Sequence, residues 1–165
     1  MHKHLPKLLF LLLACVGATA AAGQGLKQPR PGLFAGGQPS AQQLRDAAQA
    51  GVTSVIDLRM PHEDRGYDEA AAAEALGLRY VRLPIDGAGG ISEANARTLD
   101  RLLRQDPGST LLHCASGNRA GALLALAQAR VHGASPEAAL QFGRDAGLTS
   151  LEPAVRAALE HPARP

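Results

Sequence analysis

The chain of 165 residues has no tryptophan, three phenylalanines and two tyrosines. So few rings leave no stacking platform for bases, and no cluster of Lys and Arg supplies the basic footprint that nucleic-acid binding needs. An excess of one charge is missing too. With Lys3 and Lys7 set aside in an N-terminal leader, 15 basic residues face 15 acidic ones. Beyond the N-terminus, no apolar run is long enough to cross a bilayer. Much of the apolar content is alanine, which buries little area per residue, so a modest core built on Leu, Val and Ile is expected. Metal-ligand spacing is also lacking. His2 and His4 sit near the N-terminus, and His62, His113, His132 and His161 show no pattern with cysteine or carboxylates. No metal and no cofactor is expected.

What is present begins with an address. Met1 to Lys7 is basic, Leu8 to Val16 is apolar, and small residues follow at Ala18-Thr19-Ala20 and Ala21-Ala22. This order reads as a secretory signal peptide over residues 1–22, implying a periplasmic or secreted protein. The alternative is a lipoprotein box at Leu12-Leu13-Ala14-Cys15, with a lipid anchor at Cys15 and a membrane-anchored product. If Cys15 leaves with the leader, Cys114 has no intramolecular partner in an oxidising compartment. Such a leftover thiol is either reactive or buried and inert.

Residues 23–31, rich in Gln, Gly, Pro and basic side chains, read as a flexible leader into one domain over residues 32–162. Gly32 to Ala35 reads as a short strand. Ser40 with Gln43 makes a capping pair that opens a helix stopped by Gly51. The β-branched run Val52 to Leu58 and the alternating Leu78 to Leu83 predict strands, with a helix over Asp68 to Leu76 between them. Ser92 caps a helix through Leu103. Ser109 to His113 predicts a strand, and Asn118 to Val131, apolar on all sides, a buried helix. Ser135-Pro136 and Thr149 to Glu152 start two more helices. The alternation implies an α/β domain with a mainly parallel four- or five-stranded sheet flanked by helices. Ligands of such sheets sit beyond the carboxyl ends of the strands. Cys114 falls there.

The run His113-Cys114-Ala115-Ser116-Gly117-Asn118-Arg119 therefore links a strand to a helix N-terminus. Such a loop aims backbone N–H groups at one point, where the helix dipole adds positive potential. Gly117 permits the tight curl. Arg119 adds a planar fork of donors suited to an oxyanion. The amides of Ala115, Ser116, Gly117, Asn118 and Ala120 are expected to hold an anionic substrate over the sulfur, which is expected to be a thiolate at neutral pH.

His113-Cys114-x-x-Gly117-x-Arg119 resembles the signature of cysteine-based tyrosine and dual-specificity phosphatases. The wider pattern is similar to a bacterial phosphatase-like family that is also found fused to β-lactamase-like hydrolases. Its segments here are Gly37-Gln38-Pro39-Ser40, Val55-Ile56-Asp57-Leu58-Arg59 with Glu63, Leu83-Pro84-Ile85-Asp86, and the Cys114 loop, in order over about residues 36 to 132. The resemblance implies a cysteine-phosphatase-like fold and hydrolysis of phosphate monoesters, phosphoproteins among them, through a phosphocysteine. In it Cys114 is the nucleophile, Arg119 the phosphate clamp and Asp86 the general acid, on a loop loosened by Gly87, Gly89 and Gly90. Arg59 and Glu63 are expected to form an ion pair beneath the loop, Asp57 to bind backbone, and His113 to orient the loop. Two departures stand out. Four residues rather than five separate Cys114 from Arg119, the spacing of a rhodanese-like sulfurtransferase, in which the cysteine carries a persulfide. Ala120 replaces a hydroxyl that stabilises the departing thiolate, which slows turnover by about ten- to a hundredfold. A sulfurtransferase and a non-catalytic module binding anions or phosphoproteins stay open as alternatives.

Overall fold

The computed structural model describes residues 25–160. The signal peptide, the lipid anchor at Cys15 and residues 23 and 24 of the leader lie outside the described residues. The frame is a five-stranded sheet in the order β1-β2-β5-β3-β4. Its strands are β1 (Lys27–Arg30), β2 (Leu33–Gly36), β3 (Val52–Asp57), β4 (Arg79–Arg82) and β5 (Ser109–His113). All pairings are parallel except β1 with β2.

Part of the stretch read as a flexible leader is thus a strand. Lys27–Arg30 carries no apolar alternation, and three of its four residues are exposed. Its order comes from pairing, Lys27 opposite Ala35 and Arg30 opposite Leu33, through a turn in which Gly32 takes φ +76°. The main chain of β2 supplies what the side chains of β1 do not encode.

Strands β3 and β5 lie side by side inside the sheet, with Val55 opposite Leu111, Ile56 opposite Leu112 and Asp57 opposite His113. Successive side chains point to opposite faces. Val55 and Leu111 therefore pack with α1 (Ala41–Gln49) and α2 (Glu69–Ala75) through Leu44, Ala47 and Ala73. Ile56 and Leu112 enter the larger core with α3 (Glu93–Gln105), α4 (Asn118–Arg130), α5 (Pro136–Asp145) and α6 (Glu152–Glu160). The caps behave as their chemistry requires. Ser40 and Gln43 form a reciprocal capping box, and Ser92 and Ser135 each accept the backbone N–H three residues on.

Helix α4 is buried at every position from Ala120 to Ala127. It packs between α3 and α5, and its close approach depends on Gly121: a Cβ there would lie 2.2 Å from Leu148 N. Because α4 is clamped on all sides, its N-terminus is a fixed point at the carboxyl edge of β5. The sheet thus presents His113 and Cys114 directly to that point.

Candidate active site

Residues 114 to 119 curl from the end of β5 into the first turn of α4. Gly117 stands at the N-cap with φ +93°, a left-handed conformation that side chains resist. A Cβ on it would meet Gly36 C at 3.1 Å, so the position also needs the space. The preceding chain pins the curl by main-chain contacts. Cys114 N–H donates to Gly36 O at 3.3 Å, Gln38 N–H donates to Ala115 O at 3.2 Å, and Gly37 bridges to Ser116. Within the curl, Gly117 N–H donates to Cys114 Sγ at 3.1 Å. The sulfur is aimed inward along the amides, and Cys114 is 1% exposed. The N–H groups of Ala115, Ser116, Asn118, Arg119 and Ala120 find no acceptor among the described residues.

Arg119 is the second fixed element. Its Nη1 and Nη2 donate to Glu63 Oε1 and Oε2, each at 2.6 Å, and Nη1 also reaches Ile85 O at 3.0 Å. The hydrogen bonds with Glu63 raise the basicity of Arg119 more than burial lowers it, and the neighbouring Cys114 sulfur raises it further. Glu63 is held below the ordinary carboxylate range by the same hydrogen bonds, against a smaller opposing effect of burial. A planar fork is thereby oriented and kept charged beside the thiol. The Ile85 contact ties the loop after β4, where Asp86 follows Ile85, to this fork. Asp86 is exposed, and its side chain makes no hydrogen bond or ion pair among the described residues.

Beneath the loop lies a buried ionic network. Asp57 accepts from Arg59 N and Nε at 2.9 Å each, from Arg59 Nη2 at 3.0 Å and from the Tyr80 hydroxyl at 2.8 Å. Burial would raise the Asp57 carboxyl, but the donated bonds from Arg59 outweigh it and hold it well below the carboxylate range. Arg59 Nη2 also contacts Glu69 Oε2. Glu69 Oε1 lies 3.0 Å from His113 Nε2, and His113 Nδ1 faces Cys114 O at 3.3 Å. Asp57, Arg59, Glu69 and His113 are all fully buried. Ligand atoms of Asp57, Glu69 and His113 come within 4.8 Å of one another, a convergence that sequence spacing did not reveal. The guanidinium of Arg59 already occupies the role of the cation among them.

The structure corrects one expectation and adds detail to three others. Arg59 and Glu63 do not pair: Arg59 turns down to Asp57 and Glu69, while Glu63 reaches Arg119, 56 residues away. The side chain of Asn118 does not face the cradle. Its Oδ1 accepts from Thr149 N at 2.9 Å and Leu151 N at 3.3 Å, and its Nδ2 donates to Ser150 Oγ at 2.7 Å, leaving only its backbone N–H toward the loop. The Ala120 side chain is fully buried in the core. Asp57 binds backbone as expected, yet it binds the Arg59 side chain as well. Cys114, Arg119, Gly117 and His113 are brought together, and Ala115 and Ser116 form the exposed lip. Sequence reasoning missed Glu69, Tyr80 and Arg65, whose Nε lies 3.5 Å from Asp57 Oδ2. Only the acid after the α2 cap Asp68 offered a signal, and it reads equally as a helix-dipole charge.

The chain is similar in sequence and fold to known proteins. The sequence pattern of the family described as DSP-PTPase phosphatase fused to NAD+ kinase matches residues 11–152. A β-lactamase hydrolase-like protein of Xylella fastidiosa is 36% identical over 100 residues, covering 58% of this chain and 23% of that protein. The chain thus spans less than a quarter of the length of that curated relative. A DUF442 protein from Shewanella putrefaciens superposes with a TM-score of 0.65 at 25% identity, over 82% of this chain and 86% of that one. TpbA of P. aeruginosa, solved in complex with pTyr, gives a TM-score of 0.59 at 22% identity, over 83% and 91%.

Proposed function

Because this chain belongs to the dual-specificity-type phosphatase family whose members are described as fused to NAD+ kinase, we propose that it is a cysteine-dependent phosphatase of phosphate monoesters. The observation that carries this reading is the Gly117 N–H on Cys114 Sγ at 3.1 Å, beside an Arg119 fork fixed by Glu63. A main-chain donor and a fixed cation both suit the oxygens of a phosphoryl group held over the sulfur. In the first step the Cys114 sulfur forms a bond to phosphorus as the ester P–O bond breaks. Asp86 gives its proton to the departing oxygen. In the second, water attacks the phosphocysteine, losing a proton to the Asp86 carboxylate, and orthophosphate leaves as the thiolate is restored. The free Asp86 side chain and the Ile85–Arg119 contact support the acid role. Its substrates include phosphorylated proteins in this reading, and residues 1–22 carry the protein out of the cytoplasm.

One feature favours a second reading. The four residues between Cys114 and Arg119 match the ring of a persulfide-carrying sulfurtransferase. Purified protein and its Cys114→Ser variant are assayed with an aryl phosphate, and with thiosulfate plus cyanide. Phosphate release that disappears in the variant is the expected result. Thiocyanate formation without phosphate release overturns the phosphatase reading in favour of sulfur transfer. Inactivity in both assays with tight vanadate binding overturns it in favour of a binding module. Fractionation of cells tests export, with retention in the cytoplasm as the contrary result.

A further inference from the structure

We propose that Arg65, in the loop between β3 and α2, is a positioning residue for Arg119. Its guanidinium staples the turn that carries Glu63, and Glu63 in turn aims the Arg119 fork. The inference rests on the reading of Arg119 as the clamp for substrate oxygens.

Residues 58–68 join β3 to α2 without a helix or strand of their own. A segment of that kind needs specific bonds to hold one shape, because freezing each residue costs conformational entropy. Its central turn is closed by Glu63 N–H donating to Met60 O at 3.1 Å. Arg65 adds three more bonds. Its Nη1 donates to Pro61 O at 3.0 Å and to Glu63 O at 3.4 Å, and its Nη2 donates to Met60 O at 3.2 Å. One planar group thus spans three carbonyls of the same turn, which the point charge of a lysine could not do. Arg65 Nε lies 3.5 Å from Asp57 Oδ2, at the end of β3, so the staple stands against the sheet.

Within this turn the Glu63 carboxylate has a set direction. Its Oε1 accepts from Met60 N at 2.7 Å and from Arg119 Nη1 at 2.6 Å, while Oε2 accepts from Arg119 Nη2 at 2.6 Å. Met60 is therefore gripped on both sides, its N–H by the carboxylate and its carbonyl by Arg65 and Glu63 N. A shift of the turn would move both carboxylate oxygens against Arg119, and a bidentate pair depends on the alignment of both. The main chain of Arg65 makes a second link. Its carbonyl accepts from Gln38 Nε2, and the Gln38 N–H donates to Ala115 O at 3.2 Å. The turn that orients Arg119, at the end of the reactive loop, is thus bonded to the strap that holds its start.

A double-mutant cycle on the full-length protein provides the test. Wild type, Arg65→Gln, Glu63→Ala and the double variant are assayed for aryl phosphate hydrolysis, and for binding of inorganic phosphate by calorimetry. Arg65→Gln should lower kcat/KM and phosphate affinity by about tenfold. In the Glu63→Ala background the same change should cost less than about twofold, because the group it acts through is gone. A general weakening of the fold would cut both backgrounds alike, and equal losses overturn the proposal. Unchanged activity in a folded Arg65→Gln overturns it as well. Should Arg65→Gln not fold, Arg65→Lys takes its place in the cycle, with a loss of about threefold or more expected and full activity as the contrary result. Absence of phosphate release from the wild type, with phosphate affinities in the expected pattern, sinks the phosphatase reading alone and supports the role of Arg65. A wild type that binds no phosphate lacks the oxyanion site, which overturns both.

Discussion

Replacing Asp57 by Asn tests whether the buried network holds the frame of the site. The substitution preserves size and one acceptor oxygen, which keeps the bonds from Arg59 N and Nε. The new NH2 group, however, replaces the oxygen that accepts from Arg59 Nη2 and Tyr80; it meets a donor at Arg59, and the Tyr80 hydroxyl must turn to accept from it. It also removes one anion from a fully buried set, leaving Arg59 with only Glu69 for balance. Breaking a buried pair by removal of one partner costs about 3–5 kcal/mol. With a urea slope of about 1.5 kcal/mol per molar, the midpoint should fall by about 2–3 M at neutral pH. The pH dependence has a definite sign. The folded carboxyl of Asp57 lies well below its unfolded value, because Arg59 overcomes the opposing effect of burial. Its contribution is fully present above the unfolded value of about 3.9 and is lost as pH falls toward the folded one. The gap between wild type and variant should therefore narrow below about pH 4. A midpoint shift below about 0.5 M at neutral pH refutes the reasoning, since so small a cost means that Arg59 is stabilised elsewhere.

Three further substitutions separate the parts of the site. Glu63→Ala removes both carboxylate anchors of Arg119; aryl phosphate hydrolysis should fall by about a hundredfold, read as kcat/KM, with a smaller loss in thermal stability. Asn118→Ala frees the turn at Thr149–Leu151 and should cost about 1–3 kcal/mol in urea unfolding, while Cys114 alkylation changes little. Gly121→Ala forces a methyl to within 2.2 Å of Leu148 N and should destabilise by about 3 kcal/mol or more, seen as a large drop in melting temperature.

Most elements were legible because their signals are local. Ser40, Ser92 and Ser135 cap helices through bonds within four residues, and the β-branched run of β3 states its own pleat. The Cys114 loop was legible because Gly117 and Arg119 must lie close to the sulfur in sequence to curl around it. What escaped depends on distant partners. Lys27–Arg30 becomes a strand only because β2 offers an edge, and composition alone argued against it. Glu63 follows Arg59 by four residues, a spacing that suggests a local pair, yet Arg59 bonds Asp57 and Glu69 while Glu63 bonds Arg119. The pairing of β3 with β5 sets Asp57 beside His113, and no stretch of sequence announces that register.

The contacts that Gly36, Gly37 and Gln38 make with the reactive loop run through peptide groups alone. Ala115 and Ser116 hang outward from that scaffold with their side chains in solvent. Replacements at these two positions should alter which molecules are admitted without unsettling the nest of amides underneath. Diversification of ligand preference can therefore proceed at the lip while the anion-gripping floor stays constant.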